Sequence, residues 1–177
     1  MNPIKIINEF YKPGSRLHRI YMMHCSQVTK KALKTAQKVK HLNPDIEFIR
    51  EAAMVHDIGI FMTDAPSLGC YGEHLYICHG LLGRVILEQK GLHSHAMVCE
   101  RHVGVGISVE DIKKSNLPLP LRDMRAVTIE EKIIAYADKF YSKNDDQEKS
   151  IKQIVQGLQK YGQDKVEVFN SWVELFE

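Results

Sequence analysis

Apolar residues recur at helical spacing along most of the chain, and no stretch alternates strictly between apolar and polar residues as a half-buried strand would. Helix caps and breakers divide this pattern into segments. Asn2-Pro3 opens a first helix, Ser15 opens a second, and Asn43-Pro44-Asp45 opens a third. Gly91 ends a fourth. The pattern predicts an all-α fold with helices over about 3–11, 15–41, 44–56 and 75–90, and with further helices beginning near 94, 108 and 128.

The helix that begins at Thr128 is expected to lie at the centre of the fold. Thr128-Ile129-Glu130-Glu131 matches a capping box, and the helix that it opens is apolar almost all round. Two amphipathic helices, divided near Gly162, are predicted to follow. We predict a single helical-bundle domain over 1–177, with a core at about 16–143 and a C-terminal helical extension at about 146–177.

Composition and charge exclude several classes of protein. The net charge of +2 indicates no field strong enough to favour nucleic acid or a membrane as partner. No apolar run could span a bilayer, and residues 1–10 lack the features of a signal peptide. The four cysteines form no CxxC pair, which is typical of free thiols in a reducing compartment. These features predict a cytoplasmic protein without membrane or nucleic-acid partners.

The residues that indicate chemistry are a histidine and an aspartate side by side, His56-Asp57, at the end of the apolar third helix. Gly59 follows them and fits the end of that helix. Imidazole and carboxylate together suit a divalent transition metal. His24 lies on an apolar face of the second helix, and Asp138 lies in the apolar helix after Thr128. A carboxylate there would be costly to bury without a charge partner or a metal.

Taken singly, each of these residues also has an ordinary structural explanation. A lone histidine on an apolar face is usually hydrogen-bonded within a core, Asp138 could pair with Lys139, and His79 could cap its own helix. His102 could pair with Glu100 or Arg101. Taken together, these explanations require several independent coincidences in helices that a bundle would bring together, and bundle cores are where such metal sites are built.

The order His24, His56-Asp57, Asp138 resembles the HD superfamily of metal-dependent phosphohydrolases, and the run His56-Asp57-Ile58-Gly59 resembles its HDIG subgroup. The resemblance covers about residues 16–143. It implies that His24, His56, Asp57 and Asp138 bind a metal ion. Relatives with two ions add two histidines between the HD pair and the last aspartate, where this chain has His79 and His102. In such sites the carboxylate of Asp57 bridges both ions; iron or manganese is preferred, with Mg, Co, Ni or Zn as alternatives.

The sequence departs from the family's patterns at two places. Many HDIG proteins have a lysine after the glycine, where this chain has Ile60, so a phosphate contact expected there is missing. Cyclic-di-GMP phosphodiesterases of the HD-GYP type carry a Gly-Tyr-Pro signature after the later histidines. This chain has Gly104-Val105-Gly106-Ile107 at that place, which argues against that assignment.

The resemblance implies hydrolysis of a small phosphoester, with a nucleotide favoured, by a metal-activated water. The catalytic roles then go to Asp57, His79, His102 and Lys139. Positive side chains would stabilise the phosphate charge. The candidates for substrate binding are Arg84, Arg101, Arg122 and Arg125, and Arg16 is a further candidate. For any one of them, an ordinary surface charge is an equally good explanation.

Two other classes of function stay open at this point. Some HD-fold proteins use a di-iron site to activate oxygen, and six nitrogen and oxygen ligands suit that chemistry as well. A catalytically degenerate module that binds metal or nucleotide is the third class, although the complete ligand set argues against it. The sequence leaves the substrate and the oligomeric state undetermined.

Overall fold

The computed structural model describes residues 1–177 and consists mainly of α-helices. Short 3-10 turns and one small hairpin join the helices, and none of the helices combines the length and hydropathy that crossing a bilayer requires. The helices are α1 (Pro3–Phe10), α2 (Arg16–Lys38), α3 (Ile46–Val55), α4 (His79–Gln89), α5 (His93–Arg101), α6 (Val109–Lys114), α7 (Ile129–Asp138), α8 (Ile151–Gln159) and α9 (Gln163–Phe176).

Side-chain caps place most of the helix starts where the sequence predicts them. The Ser15 hydroxyl accepts a hydrogen bond from the backbone N–H of His18 at the start of α2. Thr128 and Glu131 form the predicted capping box of α7. The third helix starts slightly later than expected, because the side chain of Asp45 is the one that caps it, through the N–H of Phe48. These caps satisfy backbone donors that the first helical turn leaves unpaired.

The segment before α4 contains an antiparallel hairpin that the sequence pattern did not predict. Strand β1 (Asp64–Ala65) pairs with β2 (Cys70–Tyr71), and the turn between them includes Gly69 in a left-handed conformation. Strands of two residues are too short to show an alternating pattern, so this difference leaves the predicted all-α class intact. The predicted start of α4 near residue 75 is instead a 3-10 turn, Tyr76–Cys78, and the α-helix begins at His79.

Two apolar clusters form the core, and the HD pair lies where they meet. One cluster surrounds α7 with side chains of α2, α3, α8 and α9, and every residue of α7 from Ile133 to Asp138 is buried, as predicted for a central helix. The second cluster lies among α1–α5. Ala53 belongs to the first cluster and Ile58 to the second, so the intervening His56 and Asp57 are fully buried between them. All four cysteines are buried and unpaired.

Candidate metal centre

Three helices bring four of the predicted ligands to one point in the core. His24 lies in the middle of α2, His56 directly follows α3, and Asp138 is the last residue of α7. Asp57 follows His56 in the turn that leaves α3. The four residues are at most 9% exposed, and their ligand-type atoms all lie within 4.8 Å of one another. Residues separated by more than 100 positions thus form one compact group.

The distances within this group match those between ligands of one metal ion. His24 Nε2 lies 3.1 Å from Asp57 Oδ2 and 3.1 Å from Asp138 Oδ1. His56 Nε2 lies 3.2 Å from Asp57 Oδ2 and 3.6 Å from Asp138 Oδ1. Ligands that are about 2.0–2.2 Å from one ion lie roughly 3–3.5 Å apart in octahedral or tetrahedral coordination. The spacing therefore suits a divalent ion among these four side chains.

A second group shares the carboxylate of Asp57. His79, the first residue of α4, places Nε2 3.3 Å from Asp57 Oδ1, and His102, after α5, places Nε2 3.4 Å from the same oxygen. The two histidine Nε2 atoms are 3.1 Å apart. Asp57 therefore presents Oδ2 to the first group and Oδ1 to the second, the arrangement of a carboxylate that bridges two ions.

Backbone carbonyls orient three of the four histidines. His56 Nδ1 donates to the carbonyl of Ala53, and His102 Nδ1 donates to that of Cys99, each over 2.7 Å. His79 Nδ1 makes the equivalent bond to the residue three positions before it. Because a carbonyl only accepts, Nδ1 carries the proton and the neutral ring has its lone pair on Nε2. Metal-binding histidines are typically held in this way.

The polar atoms at the centre fit a metal better than they fit hydrogen bonding. Nε2 of His24, Nε2 of His56 and Oδ1 of Asp57 are buried without a hydrogen-bond partner, and Asp57 Oδ2 is paired with the ammonium of Lys143. Buried polar atoms without partners are rare and costly. A cation among them would satisfy these atoms together, and it would separate the facing lone pairs of His79 and His102. The donor set of four imidazoles and two carboxylates is that of a borderline divalent transition metal.

The buried charges support the same interpretation. Burial lowers the pKa of His79 to about 3 and also lowers the pKa of His102, so both rings are neutral near pH 7. Burial alone would raise the pKa of Asp57, but Lys143 and His56 outweigh it and hold that pKa well below its usual range. The neutral rings of His79 and His102 and the ionised Asp57 are in protonation states that bind metals. At His56 burial opposes the charged ring, but the charge of Asp57 outweighs it and raises the pKa of His56 well above its ordinary value, so an ion at Nε2 would replace that proton.

Lys143 is the charged neighbour of this centre that the sequence interpretation missed. Its ammonium lies 2.6 Å from Asp57 Oδ2, and its side chain is 12% exposed. Burial opposes the charged ammonium, but the attraction of Asp57 outweighs it, and the pKa of Lys143 is well above its ordinary value. The one available signal was position, because the loop after α7 must leave the core beside Asp138.

A cavity of about 400 Å³ opens from the metal centre to solvent. His79, His102 and Asp138 form part of its wall, so both groups of ligands border it. Tyr76 and Tyr141 line the same cavity. Three positive side chains also line it, and these are Lys139, Lys143 and Lys149. Lys139, a predicted catalytic residue, lies 3.3 Å from Asp138 Oδ2.

The predicted substrate-binding arginines do not line this cavity. Arg84 and Arg122 both pair with Glu100, a carboxylate that is 2% exposed, and Arg101 pairs with Glu131. Asp123 holds Arg125 at the surface. Arg16 donates to the carbonyl of Ser67, in the turn between β1 and β2 that borders the cavity. In this geometry the arginines hold elements together, and their predicted role toward substrate stays a prediction.

Comparison of the sequence with known proteins finds similarity to an uncharacterised protein and to two proteins that are named as tRNA methyltransferases. No protein-family model matches the chain. It is 35% identical over 118 residues to an uncharacterised protein of Methanocaldococcus jannaschii, covering 65% of this chain and 62% of that one. It is 30% identical over 153 residues to the tRNA (cytidine(56)-2'-O)-methyltransferase of Thermoplasma volcanium, and 32% identical over 124 residues to that of Picrophilus torridus. These matches cover 86% and 70% of this chain but 39% and 32% of the methyltransferases, so the chain spans less than two thirds of the length of each curated relative.

The fold itself is that of the HD domain. The structure of the HD domain of the L. monocytogenes phosphodiesterase PgpH matches 96% of this chain with a TM-score of 0.56 at 14% sequence identity. The same domain in complex with cyclic-di-AMP matches 97% of the chain, also with a TM-score of 0.56. This likeness and the buried His/Asp cluster confirm the predicted HD-type helical domain. The assignment to the HDIG subgroup stays a prediction.

The shared carboxylate leads to a prediction about the number of ions. His79→Ala removes one ligand from the second group and leaves the first group complete, so the variant should keep one ion and lose the other. Elemental analysis of variant and native protein, loaded with Mn²⁺ side by side, measures this directly. His93→Ala, at an exposed histidine that starts α5, is the control and should keep the native ratio. A native ratio in His79→Ala would mean that the second group does not hold an ion.

Proposed function

We propose that this chain is a metal-dependent phosphohydrolase that acts on a small phosphoester, with a nucleotide as the favoured substrate. The observation that carries the proposal is the bridged arrangement of six buried ligands at the inner end of a cavity lined by lysines. The HD-domain fold that the chain shares with a phosphodiesterase supports it. The complex of that neighbour with cyclic-di-AMP supports a nucleotide in particular.

In this proposal the ligand set is His24, His56, Asp57, His79, His102 and Asp138. The ions that they hold would lower the pKa of a bound water and offset the charge of the phosphate oxygens. Asp57 fixes the relative positions of the two groups, because one oxygen faces each. The carbonyl bonds at Nδ1 keep the rings of His79 and His102 oriented toward the cavity side of Asp57. Iron or manganese is preferred, by resemblance, and two ions are proposed.

The charge of the cavity favours a phosphoester over a neutral substrate. Lys139 and Lys143 reach its wall from the loop and helix end beside Asp138, and Lys149 approaches from the far side of the same loop. An anionic substrate gains from these charges, since a partly desolvated ammonium makes strong hydrogen bonds to phosphate oxygens. A neutral substrate, as an oxygenase could use, would gain nothing from them. The side chains of Tyr76 and Tyr141 provide ring faces beside the lysines, which suits a nucleobase.

Methyl transfer is not proposed for this chain. The two relatives that are named as tRNA methyltransferases are matched over only 39% and 32% of their length. On the cavity wall, His79, His102 and Lys143 converge on one buried carboxylate, Asp57. Metal binding explains that arrangement. Methyl transfer is the activity named for the relatives, and we do not propose it for this chain.

The experiment that tests the proposal is a panel of phosphoesters and nucleotides assayed under nitrogen with Mn²⁺-loaded protein. We expect release of phosphate or of a phosphomonoester from at least one nucleotide, and we expect a chelator to stop it. A second assay in air with iron-loaded protein covers the oxidative alternative. Product formation that requires oxygen, or metal-replete protein that is inert toward the whole panel, would contradict the proposal.

A further inference from the structure

The geometry points to Lys143 as the residue that binds the substrate phosphate, because its ammonium lies 2.6 Å from the shared carboxylate of Asp57 and its side chain lines the cavity. This inference rests on the proposed phosphohydrolase function and adds to it a residue that the HD motif does not contain. It also gives the Lys143 side chain two positions, one beside Asp57 and one in the cavity. Without metal the ammonium neutralises Asp57, and with metal it turns to the cavity.

The position of Lys143 connects the metal centre to the open cavity. Its Nζ lies beside Asp57 Oδ2, the oxygen that also faces His24 and His56. The same Nζ is 5.8 Å from the centre of the Tyr76 ring, which lines the cavity wall. A lysine has a flexible four-carbon side chain, so its ammonium can move several ångströms while the backbone stays fixed. Lys143 can therefore reach either Asp57 or an anion in front of it.

Charge decides between these two positions. Asp57 and Asp138 bring two negative charges into the first group of ligands, and Lys143 is the buried cation that faces Asp57. A divalent ion held by the same carboxylate repels an ammonium at that distance, since charges in a buried site interact strongly. A phosphate oxygen in the cavity then offers the ammonium a new partner. Metal loading and substrate binding thus favour the same movement of the side chain.

The turn directly after the His56-Asp57 pair is apolar. Gly59 is followed by Ile60, Phe61 and Met62, and Ile60 is fully buried in the apolar cluster among α1–α5. No side chain from the turn after Gly59 can therefore supply a positive charge to the cavity at that point. Lys143 supplies that charge from another part of the chain, the loop after α7.

The two other lysines of the cavity are less suited to this role. Lys139 is paired with Asp138, at 3.3 Å from Oδ2, an oxygen that the first group leaves free. Lys149 is exposed, and its backbone N–H donates to the carbonyl of Phe140. An exposed lysine pays more conformational entropy for each contact and is screened by water and salt. Of the three, Lys143 is the one already held next to the ligands.

The test measures binding, so it does not require a known substrate. Native protein, Lys143→Met and the control Lys152→Met, at an exposed lysine of α8, are titrated with Mn²⁺ and then, once loaded, with inorganic phosphate. We expect Lys143→Met to bind Mn²⁺ about tenfold more tightly than native protein does, because no ammonium must be displaced. We expect the same variant to bind phosphate about tenfold more weakly, because a charge-assisted hydrogen bond is lost. Lys152→Met should match native protein in both titrations.

The opposite signs of the two changes separate this role from a structural one. A lysine needed only for folding would weaken both affinities together when it is replaced, and that result would overturn the inference, as would two unchanged affinities. Lys143→Gln provides a second neutral side chain if Lys143→Met does not fold, as judged by circular dichroism. Native protein that binds no Mn²⁺ would instead contradict the proposed function itself, so the two failures are distinguishable.

Discussion

Asp57→Ala is expected to lose both metal ions and to reduce kcat/KM for any phosphoester substrate by more than about 100-fold. The reason is that one carboxylate serves both groups of ligands, with Oδ2 facing His24 and His56 and with Oδ1 facing His79 and His102. Loss of a residue that merely orients a metal ligand already costs about 10–100-fold in metal affinity or activity. Loss of the bridging ligand should cost more, and elemental analysis together with the phosphoester assay measures both effects.

The fold should survive this substitution. Asp57 makes no hydrogen bond to the backbone of the core, and the ammonium of Lys143, which loses its ion pair in the variant, can turn toward water in the cavity. Circular dichroism of Asp57→Ala should therefore keep the helical spectrum of native protein. Asp64→Ala, at the exposed aspartate of β1, is the matched control and should keep both metal and activity. Native metal content in Asp57→Ala would contradict the bridging role.

Gly59→Ala should destabilise the protein by about 3 kcal/mol or more, because there is no space for a methyl group at this position. A Cβ on Gly59 would lie 2.3 Å from the carbonyl oxygen of His79 and 2.5 Å from the backbone nitrogen of Gly83. Both neighbours are backbone atoms of α4, so neither can turn aside. The glycine of the motif thus allows the turn after Asp57 to touch the helix that carries His79, and its loss should also displace that ligand.

Urea denaturation of Gly59→Ala beside Gly157→Ala tests this interpretation. Gly157 lies inside α8, and nothing lies within 4 Å of a Cβ added there. Alanine at that helical position should stabilise the protein by about 0.5–1 kcal/mol. The same chemical change is therefore expected to have opposite signs at the two positions. An unchanged denaturation midpoint for Gly59→Ala would show that α4 does not pack against this turn as described.

The sequence alone was misleading about why position 59 requires glycine. The sequence suggested a glycine that ends α3, where a left-handed conformation would be required. Its φ is instead −82°, which any residue can adopt, and α3 ends earlier, at Val55. The requirement for glycine comes from the approach of α4, a contact between segments that are separated by 20 residues or more. The local sequence does not predict such a contact between distant segments, whereas it did predict the helix caps at Ser15 and Thr128.

The residues of the buried His/Asp cluster were predictable from the sequence and Lys143 on the cavity wall was not, for a physical reason. A histidine or an aspartate in an apolar helix face conflicts with its surroundings, so His24 and Asp138 are visible in the sequence pattern. Lysines and arginines are common on surfaces, and their positions in loops carry no such conflict. Position beside the Asp138 helix was the one signal, and it applied to Arg122 before the helix as well as to Lys143 after it. The fold directs Lys143 to the cavity and pairs Arg122 with Glu100.

The measurement that tests the central claim most directly is the number of metal ions bound per native chain. Protein loaded with Mn²⁺ or Fe²⁺ under nitrogen, freed of excess metal by gel filtration and analysed by elemental analysis, should hold two ions per chain. That ratio follows from six buried ligands in two groups joined by Asp57. Retention of no metal would contradict the claim that these side chains form a metal centre.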